Sequence, residues 1–277
     1  MRENYLVFPE GKSKALTLSY DDGVNTDIRM IELMEKYGIK CTFNLNSNKF
    51  GNEGVTQIGK RLPKSMVQTV YKHPLCEVAT HSCTHSALTK LPECVMMSEI
   101  IDDRRELEKM FGCVVRGHAY PYGGYNDLVV DGLKKAGIVY ARTVESHCTF
   151  KLPEDWLRWG PTCHHNEPKL MNLVDKFVNE SVGLNSDGWL FYLWGHTYEF
   201  PKYNNWNVIE KFFEEISRND DIWFATNIEV YEYVTAWRDL VYSADGSCVY
   251  NPSAQDLWVK CDGKIICVPA GVTVGMK

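Results

Sequence analysis

The sequence predicts an α/β fold, a parallel sheet closed into a barrel with its helices outside, and three observations carry that expectation. Short strand-like apolar runs alternate with amphipathic helical stretches along most of the chain. A strand that is followed repeatedly by a helix needs crossover connections, and these make the sheet parallel. The residues of chemical interest fall just after the strand-like runs, where a barrel gathers its working loops. A chain of 277 residues is long enough for one barrel-sized domain plus an appendage.

The first strand is expected over residues 16–20, an apolar run that ends in Asp21-Asp22-Gly23. A helix follows over 25–37, with Ile28, Ile31, Leu33, Met34 and Tyr37 at spacings of three and four, and Gly38 just past its end favours a left-handed cap. Strand 41–45 and helix 64–71 come next, then strand 77–80 and helix 95–110. Strand 114–117 leads to helix 127–136, with Gly137 placed as the second glycine cap. Strand 138–144, helix 169–179, strand 190–195, helix 208–217, strand 222–225 and helix 229–240 complete the series. Beyond residue 240 the alternation breaks into short strands separated by turns, with Asp262-Gly263 as a hairpin signal. The expected organisation is therefore a barrel over residues 1–240 and a small β-stranded extension over 241–277 packed on it. A ligand-binding role for the extension is the lesser reading, because covering a barrel flank needs the same residues.

Composition excludes several classes. The formal net charge is −6 with both signs interspersed, so no basic patch argues for nucleic acid or anionic lipid. Ten cysteines form no Cys-x-x-Cys pair and read as thiols of a reducing compartment. The first residues lack an apolar core of signal-peptide length, and no run approaches about 18 apolar residues. A cytoplasmic protein with no membrane partner is expected, while its oligomeric state is left open.

The chemistry starts from Asp21-Asp22-Gly23 read together with His81-Ser-Cys-Thr-His85. Alone, the first is a solvated turn and the second two histidines on one face. Together they offer one more carboxylate than a hydrolytic metal needs, since two histidines and a carboxylate leave a position for water. Asp22, His81 and His85 are the candidate ligands, and Asp21 is left to accept a proton. Two later segments join them. Arg116-Gly-His-Ala-Tyr-Pro121-Tyr122-Gly123 places a turn where a backbone N–H can point into a site. Phe191-Tyr-Leu-Trp-Gly-His196 ends a strand-like run in a histidine.

In that order the four segments resemble the motifs of the polysaccharide deacetylase family, carbohydrate esterase family 4, over roughly residues 14–240. The resemblance implies a distorted (β/α)7 barrel and one divalent metal ion, Zn²⁺ first, with Co²⁺, Ni²⁺ or Mn²⁺ as alternatives. It implies Asp21 as base, the Tyr122 N–H as oxyanion donor and His196 as general acid. Two departures stand out. Many members carry an Arg two residues before the motif Pro, where this chain has Ala119. Arg142, at the end of the next expected strand, is the best replacement, with a surface ion pair as its alternative reading and Arg116 as the weaker candidate. Trp194 stands where many relatives have a Leu of the acetyl pocket, so an apolar wall or sugar-stacking role is expected for it, and Tyr122 is expected beside the substrate as well. Glu199, Trp159 and the pair His164-His165 are candidate groove residues that no spacing rule fixes.

The expected activity is metal-dependent removal of acetyl from an N-acetylated amino sugar, a short oligosaccharide or glycan. The competing readings are an amidohydrolase acting on a non-sugar C–N bond and a catalytically silent carbohydrate-binding protein.

Overall fold

A computed structural model describes residues 3–52, 54 and 57–276. In chain order it contains β1 (Asn4–Val7), β2 (Lys14–Asp21), α1 (Asp27–Tyr37), β3 (Cys41–Leu45), α2 (Lys64–Tyr71) and β4 (Cys76–Thr80). Next come α3 (Glu93–Phe111), β5 (Gly117–Ala119), α4 (Asp127–Lys135), β6 (Tyr140–Arg142), β7 (Cys163–His164) and α5 (Leu170–Asn179). The chain continues through β8 (Trp189–Gly195), α6 (Glu199–Tyr203), α7 (Trp206–Ser217), β9 (Ile222–Phe224) and α8 (Asn227–Arg238). The remaining strands are β10 (Val241–Tyr242), β11 (Cys248–Tyr250), β12 (Leu257–Cys261), β13 (Lys264–Val268) and β14 (Thr273–Gly275).

The main sheet runs β6-β5-β4-β3-β2-β8-β7 with parallel neighbours. Its two edges meet at a parallel bridge between Arg142 and Trp159, where the Thr143 amide donates to the Trp159 carbonyl and the Trp159 amide to the Ala141 carbonyl, both at 3.0 Å. The barrel is distorted on the opposite side. β2 pairs with β8 along Lys14–Tyr20, yet its other edge is shared between β9, at Lys14–Leu16, and β3, at Ser19–Asp21. The expected architecture, a distorted (β/α)7 barrel, is the one observed.

β2 is buried along its whole length, and its two faces divide by the period of a strand. Leu16, Leu18 and Tyr20 pack in the core that includes Met30, Ile31 and Met34 of α1 and Phe212 and Phe213 of α7. Thr17, Ser19 and Asp21 belong to the other face. There Thr17 donates to Asn227 Oδ1 at 2.7 Å, Asn227 Nδ2 donates to the Tyr192 hydroxyl at 2.5 Å, and that hydroxyl lies 3.0 Å from Ser19 Oγ. A satisfied polar column thus fills this side of the strand and leads up to Asp21.

The element ends follow local chemistry. Gly38 caps α1 at φ 66°, the left-handed conformation that costs glycine least. At α8, Thr226 and Glu229 form a reciprocal capping box, so the helix begins two residues before the expected 229. The expected strand 114–117 is found three residues later as β5, and 138–144 shrinks to β6. β7 and α6 carry no sequence expectation.

The extension is not built from residues beyond 240 alone. β12 pairs antiparallel with β13 and, on its other edge, with β1, while β10, β11 and β14 form a second small sheet. Asp262 (φ 49°) and Gly263 (φ 76°) make the expected hairpin turn between β12 and β13. Leu6 and Phe8 share one core with Tyr233 of α8 and with Leu257, Val259 and Val268 of the extension. Among the described residues, no helix is long and apolar enough to cross a membrane.

Candidate active site

Asp21 closes β2 and is 2% exposed. Both of its oxygens are held. Asn44 Nδ2 donates to Oδ1 at 2.7 Å, and Arg142 Nη2 donates to Oδ2. Asn44 is the β3 residue in register with Asp21, and Arg142 ends β6, so three strand ends of one barrel converge on this carboxylate. Burial raises its pKa, but the charges of Arg142, His81 and His196 and the Asn44 hydrogen bond together hold it well below the usual carboxylate range.

Asp22 follows in a left-handed conformation, φ 87°, which turns its side chain away from its neighbour's. Its Oδ1 accepts from Arg61 Nη2 at 2.7 Å and lies 3.6 Å from His85 Nε2. His81 follows β4 and is 1% exposed. Its Nδ1 lies 2.8 Å from the Ala119 carbonyl oxygen, an acceptor, so Nδ1 carries the proton and Nε2 presents a lone pair. Burial lowers the His81 pKa to about 4, which keeps the ring neutral. Ligand atoms of Asp22, His81 and His85 all lie within 4.8 Å of one another. His81 Nε2 and His196 Nε2 lie 3.8 and 3.9 Å from Asp21 Oδ2.

His196 follows β8. Burial lowers its pKa, but contact with Glu199 and the charges of Asp21 and Asp22 outweigh this, leaving a net rise that favours the imidazolium. The Arg142 guanidinium stacks 4.1 Å above the Trp194 ring, whose exposure is 9%. Tyr122 is exposed at φ 59°, with its ring edge-on to His85 at 4.6 Å. Among the described residues, Asp22, Ser82, His85 and Tyr122 are four of the eight non-glycine residues with positive φ, so costly backbone is concentrated here, as it often is where function fixes geometry.

The structure therefore brings together Asp21, Asp22, His81, His85, Arg142, Trp194 and His196, with Tyr122 at the rim. Arg116 instead pairs with Glu232 on the surface. Asn44, Arg61 and Asp103 carry no sequence expectation. Asp103 accepts from the backbone amides of Ser47 and His81 at 2.7 and 2.9 Å, bracing the two loops after β3 and β4. Asn44 had a usable signal, its place at the end of the strand beside Asp21, whereas Arg61 sits in a loop whose path no periodicity gives. Glu199, a groove candidate, lies among His164, His165 and His196.

Residues 9–141 match the family model described as polysaccharide deacetylase. Over that stretch the chain is similar to the polysaccharide deacetylase family. It is 28% identical over 126 residues to a bifunctional xylanase/deacetylase of Pseudobutyrivibrio xylanivorans, a stretch covering 43% of this chain and 18% of that protein. The chain thus spans about a fifth of that relative's length. A Mycobacterium smegmatis structure assigned to the polysaccharide deacetylases shares the fold with a TM-score of 0.58 at 14% identity, covering 84% of this chain and 94% of the other. A family 4 carbohydrate esterase from Streptomyces lividans, solved in complex with acetate, gives 0.51 at 14% identity over 76% and 91% of the two chains. At these identities the structural likeness is one of fold.

Proposed function

We propose that this protein belongs to the polysaccharide deacetylase family and is a metal-dependent N-deacetylase that removes acetyl from an N-acetylated amino sugar, releasing acetate and the free amine. The observation that carries the reading is the convergence of Asp22, His81 and His85 beside a second carboxylate, Asp21, whose oxygens are taken up by Asn44 and Arg142. The donor set suits a zinc-like divalent ion. Two imidazoles and one carboxylate form a common hydrolytic set, and the Ala119 carbonyl fixes His81 in the tautomer that offers Nε2. Asp22, His81 and His85 would hold the ion, Zn²⁺ first, with Co²⁺, Ni²⁺ or Mn²⁺ as substitutes. When bound, it supplies Lewis acidity that makes water more acidic and polarises an acyl oxygen.

The chain's own groups do the rest. Asp21, kept ionised by Arg142, accepts the proton of the attacking water. Its low pKa makes it a weak base, which suits water whose acidity has already been raised. The Tyr122 N–H, at the tip of its turn, faces the carbonyl oxygen as negative charge develops there. His196, held toward its protonated form, donates to the departing amine nitrogen and completes the exchange of an amide and water for a carboxylic acid and an amine. Trp194, fixed by Arg142, forms an apolar wall for the acetyl methyl or a face for the sugar ring. None of the ten cysteines is in a disulfide, which supports a reducing, cytoplasmic setting and favours short acetylated oligosaccharides over intact wall polymer.

Acetate release from N-acetylglucosamine oligomers tests this. The expected activity is lost to a chelator and restored by Zn²⁺ or Co²⁺. Turnover that survives in Asp22→Ala overturns the metal role, and turnover confined to non-sugar amides overturns the substrate class.

A further inference from the structure

Arg61 reaches the candidate metal group from a loop to which no role has been given. Its Nη2 donates to Asp22 Oδ1 and its Nη1 to Asn46 Oδ1, both at 2.7 Å. Asn46 lies one residue past β3 and is 1% exposed. Its Nδ2 donates in turn to the Ser82 carbonyl at 2.8 Å and to the His81 carbonyl. One guanidinium thus ties the turn that carries Asp22 to the turn that carries His81 and His85.

Two features separate this bridge from a surface ion pair. The first is the backbone, which is pinned to the Asp22 turn on both sides of Arg61. The Leu62 amide donates to the Gly23 carbonyl at 2.9 Å, the Asn25 amide to the Lys60 carbonyl at 2.8 Å, and Arg61 forms an antiparallel bridge with Val24. The Asn25 side chain accepts from the Gly59 amide and donates to the Gln57 carbonyl, both at 2.8 Å. A long side chain ordinarily gives up rotamer freedom to hold one geometry, and a placed backbone with two acceptors for a planar fork reduces that loss. The second feature is a parallel with the neighbouring aspartate. Asp21 is held by Arg142 and Asn44, and Asp22 by Arg61, which Asn46 steadies.

We propose that Arg61 is a positioning residue for the candidate metal group: by bridging Asp22 and Asn46 it fixes the Asp22 carboxylate against the loop of His81 and His85 before an ion arrives. An ionised carboxylate offers about four acceptor positions, so the bond from Arg61 leaves Asp22 able to bind a cation. Two effects oppose each other. The guanidinium charge repels a cation, but the Arg61 side chain is 23% exposed and solvent weakens that repulsion. Orientation of a ligating carboxylate by an outer hydrogen bond is not screened, and loss of such a bond commonly costs about 10–100-fold in metal affinity. Orientation therefore wins. The inference rests on the metal reading of Asp22, His81 and His85 and adds to it the group that holds Asp22 in place.

Calorimetric titration of the metal-free full chain with Zn²⁺ tests this. The wild type should bind one equivalent that Asp22→Ala loses. Arg61→Met should bind that equivalent about 10–100-fold more weakly. Its Co²⁺-loaded form should also show a shifted visible absorption, a sign of altered ligand geometry that a loss of overall stability would not produce. Arg61→Lys keeps the charge but cannot span both oxygens, so it should bind more weakly than the wild type too. Thermal unfolding in chelator verifies that each variant is folded, and Arg61→Lys decides the matter if Arg61→Met is not. Folded Arg61→Met that binds as tightly as the wild type, or more tightly, overturns the positioning role and leaves the metal reading standing, as does Arg61→Lys with wild-type affinity. A wild type without an Asp22-dependent equivalent overturns the metal reading and this role together.

Discussion

At the scale of single residues, the proposed chemistry turns on the buried ion pair between Arg142 and Asp21. Their side chains are 1% and 2% exposed, so removing one partner strands a buried charge, at a cost of about 3–5 kcal/mol. Asp21 has a depressed pKa in the folded protein, so its stabilising contribution is present above the unfolded value and is lost as pH falls through the folded one. In Arg142→Met the burial that raises the Asp21 pKa is no longer opposed by the guanidinium. The acid limb of the kcat/KM profile should therefore move to higher pH, and melting should show the stability loss. An unmoved acid limb would count against Arg142 as the group that keeps Asp21 ionised. Asp21→Asn should lower kcat by about 10²–10⁴-fold, the range for a positioned base, while still binding Zn²⁺ through Asp22, His81 and His85. Retained turnover in that variant would remove Asp21 from the mechanism. Asp21, Asp22, His81, His85 and His196 were legible because each sits in a compact ordered motif, and Arg142 because it follows a strand. Asn44 had only its place near the end of β3 to mark it, since its pairing with Asp21 depends on the register of β2 and β3, and Arg61 had no signal, since the course of a loop places it.

At the scale of elements, buried carboxylates tie pieces of the barrel together. Asp27, in the first turn of α1, accepts from the Tyr71 hydroxyl of α2 at 2.5 Å, from the Val24 amide at 3.1 Å and from Thr197 Oγ1 just after β8. It is fully buried, and burial, partly offset by those hydrogen bonds, pushes its carboxyl up to about 7. A raised folded pKa means that the folded state holds the proton more tightly. The contribution is complete below the unfolded value near 4 and is lost as pH rises through about 7. At about 1.4 kcal/mol per pH unit, the loss is at most on the order of 4 kcal/mol. The stability difference between wild type and Asp27→Asn, measured by denaturant at a series of pH values, should therefore fall between about pH 4 and pH 7 and level off above. A difference independent of pH would show that Asp27 stays ionised. Such couplings also explain which elements the sequence revealed. Helices with a clear apolar stripe, such as α1 and α7, and the strand β3 were found close to their observed limits. The two-residue β7 was not, because pairing with β8 defines it and nothing in so short a run has a period.

At the scale of the whole molecule, the joining of the two chain ends matters most. β1 pairs with β12 across the register Asn4↔Cys261 to Val7↔Trp258, and the Tyr233 hydroxyl of α8 donates to the Val7 carbonyl at 2.7 Å while accepting from the Trp258 amide at 3.1 Å. Trp237 Nε1 donates to the Trp258 carbonyl at 3.0 Å. A chain ended at residue 240 would lose β12 and leave β1 without its partner. Leu257, Val259 and Val268, each 0% exposed, would be removed from a core shared with Leu6, Phe8 and Tyr233. At about 1.5–3 kcal/mol for each fully buried side chain, these losses alone rival a typical margin of about 5–15 kcal/mol. The truncated chain should aggregate or unfold without a cooperative transition, even though every proposed site residue is retained. Val259→Ala in the full chain should melt cooperatively but earlier, because it leaves a cavity opposite Leu6. A truncated chain that melts cooperatively within a few degrees of the full protein would show instead that the barrel is stable without the extension.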